Sequence, residues 1–158
     1  MGIKISADNA AEQARTEFLR TQRLAMYASA VSDVQTFIVD ADRYGEIAQR
    51  LGGTQDAQEV VAALNTAEGS YRKAVTSIWS VRMIAPESLR ELNQQVGQLV
   101  DCSYYELTNG FQEWDVEYLD ETGERINRLV SDFSDHALPE FDQDAPTPAP
   151  VAQEQGAC

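Results

Sequence analysis

One histidine, two cysteines and 26 carboxylates are the main groups with which this 158-residue chain could do chemistry. A di-iron bundle site needs a Glu-x-x-His pair on each of two helices. The single histidine, His136, has Phe133 three residues before it, so that motif is missing. A tetrahedral zinc site needs four ligands, and His136, Cys102 and Cys158 do not supply them. A nucleophilic serine or cysteine needs a base within reach; His136 falls at the end of the last helical period, where an imidazole suits the helix dipole better than catalysis. Gly52-Gly53 is followed by Thr54 without a Gly-Lys-Ser/Thr sequence, so it reads as a helix stop and not a phosphate cradle. No acidic loop has calcium-site spacing. The expectation is a non-enzymatic chain with no metal and no cofactor.

What remains is the carboxylates and where they stand. Formal net charge is −14. Residues 1–100 are close to balanced at net −2, whereas residues 101–144 carry 13 acids against Arg125 and Arg128, net −11. Glu113, Glu117, Glu121 and Glu124 recur at steps of four, four and three, which puts them on one helical face, with Asp115 and Asp120 beside them. Like charges so spaced cost about 0.2–0.5 kcal/mol per pair in an isolated helix. Trp114, Tyr118, Ile126, Leu129 and Phe133 must offset that by packing. The ridge is either a solvated face that maintains solubility or a surface for a partner protein with a basic patch. In one form of the second reading, the carboxylates imitate DNA phosphates and block a nucleic-acid-binding protein. Tyr104 and Tyr105 are adjacent on a helical period and cannot both face inward, so one of them is a candidate contact aromatic. Trp79 and Phe133 stand at core spacing.

The same charge balance disfavours direct nucleic-acid binding, which needs a basic footprint. No run of about 18 apolar residues exists to span a bilayer. Met1 to Asn9 lacks the apolar stretch of a signal peptide, which gives a cytoplasmic expectation with Cys102 and Cys158 as free thiols. Met1-Gly2 with Ser6 fits the loose myristoylation pattern, a match that chance supplies often, and one acyl chain anchors only weakly.

The elements that would position these residues are helical almost throughout. From a candidate cap at Ser6 or Asp8, Ala14, Phe18, Ala25, Ala28, Val31, Val34, Ile38, Ala41, Ile47, Ala48 and Leu51 follow at three- and four-residue steps to Gly52-Gly53. That is a first helix of about 40 residues and about 60 Å, with Gly45 as a candidate kink. A second helix opens at Thr54 or Asp56 and carries Val60 through Arg82. Pro86 opens a third at its first turn and forces Ala85 out of helical geometry. The third ends at Asn109-Gly110, or else runs on to break at 120–123; Asn-Gly is the stronger punctuation. The fold expected is all-α, an up-down-up-down four-helix bundle in residues 1–138. A disordered, Pro-rich acidic tail follows in 139–158, where four of the five prolines fall. Helices one and four should adjoin, allowing Arg15, Arg20 and Arg23 to pair with the acidic helix. The apolar stripe of helix one is wide enough for a homodimer, with Ala25, Ala28 and Ala30 allowing close approach.

Arg15-Thr16-Glu17-Phe18-Leu19-Arg20 in a long first helix, Val81-Arg82-Met83-Ile84 at the end of a second, and Ala85-Pro86-Glu87-Ser88-Leu89 opening a third resemble a loose group of actinobacterial and phage helical-bundle proteins of unknown function. The resemblance implies a helical bundle and an accessory role, and it supplies no activity and no site residues. Three functions follow from the sequence: a protein-binding bundle, an acidic DNA mimic, and a small-ligand binder using the bundle core.

Overall fold

The computed structural model describes residues 2–51, 57–109, 115–142 and 144–151, with side chains described from residue 9 in the first stretch and from residue 117 in the third. Among these residues it holds four α-helices and no strand. They are α1 (Gly2–Arg50), α2 (Gln58–Ile84), α3 (Glu87–Thr108) and α4 (Asp115–Ala137), and a single 3-10 turn over Leu138–Glu140 follows. Each helix packs on its neighbours in sequence, and α4 returns onto α1. This is the all-α up-down-up-down bundle with a long first helix that the periodicity predicts.

α1 exceeds the expectation. Its 49 residues make a rod of about 73 Å. Ser6 and Asp8 lie inside it, so neither is its cap, and the helix runs unbroken through a buried Gly45. The N–H of Leu51 closes the last turn on the Ile47 carbonyl at 3.1 Å; Gly52-Gly53 come next in sequence, outside the described residues. The cap of α2 is Ala57, with no side-chain hydrogen bond. The expected caps Thr54 and Asp56 are also outside the described residues.

The α2–α3 corner follows from Pro86. Ala85 is extended at ψ 147°, as a residue before proline must be. Pro86 takes the cap position of α3, one residue earlier than the first-turn place expected of it, and its carbonyl accepts from Leu89 and Arg90 at 3.1 Å. Buried Asn93 Nδ2 donates to the Ile78 carbonyl at 2.8 Å and ties α3 to α2. α3 stops at Asn109, whose backbone N–H and Nδ2 both donate to the Tyr105 carbonyl. The third helix therefore ends before 120–123, at Asn109, and Gly110 lies outside the described residues. Residues 120–123 stay helical within α4, and Gly123 serves packing: a Cβ there would meet Ile38 Cγ2 at 3.3 Å, so α4 lies close on α1.

Phe37, Leu89, Leu107, Ile126 and Leu129 are the largest fully buried side chains. α2 contributes a narrow stripe of small residues (Ala63, Ala67, Ser70, Ala74) beside Val60, Ile78 and Val81. Trp79 is the correction to the expected core. It stands one residue, and so about 100°, away from Ile78 and is 57% exposed, with the Arg82 guanidinium over its ring at 5.0 Å. Phe133 is buried, edge-on to Tyr27 at 5.3 Å.

Beyond α4 the chain keeps contact with the bundle. Phe141 sits edge-on to Tyr27 at 5.9 Å, with the Arg20 guanidinium over its ring and Arg20 Nη2 donating to its carbonyl. Arg23 approaches Glu140 at 3.7 Å. Val151 is partly buried against the core. Burial, and then Glu140, push the Tyr27 hydroxyl up to about 12. Cys102 is a second correction: it is buried and disulfide-bonded, not a free thiol. The chain's other cysteine, Cys158, lies outside the described residues.

Candidate functional site

The core stripe of α4 decides which of its residues meet solvent. Leu119, Thr122, Ile126, Leu129, Val130, Phe133 and Ala137 are all buried. Rotation by 100° per residue then turns Glu117, Asp120, Glu121 and Glu124 outward, and all four are exposed. Of the remaining ridge residues, Asp115 opens α4 without a described side chain, and Glu113 lies outside the described residues. Glu124 has Arg128 one turn on, at 4.0 Å. The expected pairing of the ridge with the arginines of α1 is replaced by another: Arg20 and Arg23 reach Phe141 and Glu140, past the end of α4.

The bundle adds to the acidic face from a second helix. The α1–α4 seam that closes at Gly123 and Ile38 carries Asp42 one turn further along α1. Burial pushes the Asp42 carboxyl up to about 6, and the charges of Asp120 and Glu46 push it the same way. Asp42 thus feels the charge of Asp120 across the seam and that of Glu46 one turn along its own helix. Sequence reasoning missed this set. Its only local trace is the i,i+4 pair Asp42 and Glu46 beside core residue Ala41. The third member needs the register of α4 on α1.

Tyr104 and Tyr105 divide as adjacency requires. Tyr104 is half-buried and stacks on Tyr71 at 3.8 Å with rings 5° apart; Tyr71 donates to Asp101 Oδ1 at 2.9 Å. That ring pair joins α3 to α2. Tyr105 is 62% exposed and is the one available as a contact aromatic. His136 lies in the last turn of α4, where its Nδ1–H donates to the Asp132 carbonyl at 2.8 Å. That bond places the imidazole at the negative end of the helix dipole.

At the centre of the bundle a void of about 20 Å³ is lined by Ala30, Val34, Ile78, Asn93, Val130 and Phe133. It has room for about one water. Among the described residues no three His, Cys, Asp or Glu side chains are grouped to hold a metal ion, and no helix is long and apolar enough to cross a membrane. Comparisons with protein-family models, curated proteins and solved structures found no match for this chain.

Proposed function

We propose that this chain is a non-enzymatic binding protein whose acidic α4 face, extended onto α1, docks a partner protein with a basic surface. The observation that carries the reading is the common exposure of Glu117, Asp120, Glu121 and Glu124 on one side of α4, with Asp42 and Glu46 alongside. Such a face speeds the approach of a cationic partner and repels acidic ones. A partner that otherwise holds DNA fits the same description, which makes DNA mimicry the special case to separate. An accessory role, the one implied if the sequence resemblance to actinobacterial and phage bundles holds, belongs to the same proposal. The small size of the core cavity, about 20 Å³, favours the protein-binding reading over the small-ligand alternative.

The test is affinity enrichment from the native host, comparing the wild type with Glu117→Lys/Glu121→Lys. A specific partner retained by the wild type and lost by the variant supports the reading, and equal recovery refutes it. Competition of that partner by duplex DNA identifies mimicry. A cytoplasmic site of action is the expectation that the disulfide at Cys102 weighs against, since disulfides persist in oxidising compartments and are rare in reducing ones. The redox state of Cys102 in protein taken directly from its cell tests it: a reduced thiol supports the cytoplasm, and an oxidised one refutes it.

A further inference from the structure

α1 outruns the bundle. Ser77 donates to Asp33 across the antiparallel α1–α2 pair. By that register Ile84, the end of α2, stands level with about residue 26. On the other side, among the described residues, the contact nearest the N-terminus of α1 runs from Arg20 to Phe141. Residues 9–19 are exposed along their whole length. A lone helical stretch this short is marginal in water without a packed face. This arm nevertheless has an apolar stripe. Ala11, Ala14, Phe18 and Ala25 fall within about 60° of one another at 100° per residue, with Leu19 and Leu24 to either side. Phe18 is 60% exposed, Leu19 45% and Leu24 51%.

We infer that the arm is a dimerisation surface whose occupant is the arm of a second copy of this chain, packed antiparallel. Its own pattern is self-complementary. With Ala14 of the two copies opposed, Phe18 of each copy meets the small side chains Ala10 and Ala11 of the other, and the alanines allow the backbones to approach. Arg15 and Glu12 lie on the same flank of the stripe. In this register each Arg15 faces the second copy's Glu12, twice over by the two-fold axis. Glu12, Arg15, Glu17, Arg20 and Arg23 sum to +1, so two arms meet without the repulsion that opposes contact between two acidic faces. This surface overlaps the one first read in the sequence at Ala25 and is shifted towards the N-terminus, because Ala30 is buried in the core. The inference does not depend on the acidic face having a partner.

Sedimentation velocity and light scattering on the full chain at about 0.15 M salt test it, since charges more than about 8 Å apart are then screened. The expected result is a concentration-dependent monomer–dimer equilibrium. Phe18→Glu weakens it at least about tenfold, as loss of a central apolar anchor does, while the melting midpoint of the bundle stays in place. Arg15→Glu also weakens it, and Glu12→Arg/Arg15→Glu restores it. A chain that stays monomeric to about 0.5 mM, a dimer indifferent to Phe18→Glu, or a double reversal that restores nothing overturns the proposal.

Discussion

Asp42→Asn should stabilise this protein at neutral pH, because the native structure holds that carboxylate where its charge is unwelcome. Its carboxyl is raised from 3.8 to about 6, first by burial and then by Asp120 and Glu46. A raised acid binds more protons folded than unfolded, so stability falls as pH rises through the interval from about 4 to about 6, and the loss is complete above it. At about 1.4 kcal/mol per unit the shift is worth up to about 3 kcal/mol; solvent screening of a partly exposed group reduces the expectation to about 1–2 kcal/mol. The asparagine keeps the shape and removes the charge. Urea unfolding of both proteins from pH 3.5 to 8 should give a difference of about 1–2 kcal/mol in favour of the variant at pH 7.5. That difference should shrink towards zero below about pH 4, where the wild-type group is protonated in both states. A variant less stable at pH 7.5, or a difference that does not move with pH, refutes the account of the seam.

Phe133→Ala should cost about 3–5 kcal/mol by emptying a buried ring site, measurable by thermal or urea unfolding. Trp79→Ala should change stability by no more than about 0.5 kcal/mol, because the indole is exposed; a cost of about 3 kcal/mol or more would return Trp79 to the core. Phe141→Ala should release the chain after α4 from Tyr27 and Arg20, seen as faster proteolytic cleavage near residues 138–145, with the four helices still protected. Reduction should lower stability by about 2–4 kcal/mol by removing the disulfide at Cys102, and Cys102→Ser should remove the response to reductant.

The four helices were legible because their apolar positions keep a period near 3.6 and because Pro86 and Asn109-Gly110 act through local backbone geometry. The outward turn of Glu117, Glu121 and Glu124 was legible for the same reason, since periodicity alone orients a face. Trp79 was misread because Ile78 beside it takes the core position, and α2 offers the core only a narrow stripe of alanine and serine. The start of α1 was misread because Ser6 and Asp8 favour caps without requiring them. The seam of Asp42, Glu46 and Asp120 depends on how α4 registers against α1, which no short-range pattern encodes. The bond at Cys102 was equally hidden, since a lone cysteine in a helical period carries no pairing signal.

The uninterrupted length of α1 gives the molecule leverage. About 50 Å of continuous helix separates Asn9 from Asp42. A tilt of about 1° at the seam would sweep the tip of a rigid rod through about 1 Å, and the buried residues of α1 from Tyr27 to Ala48 are what hold that angle.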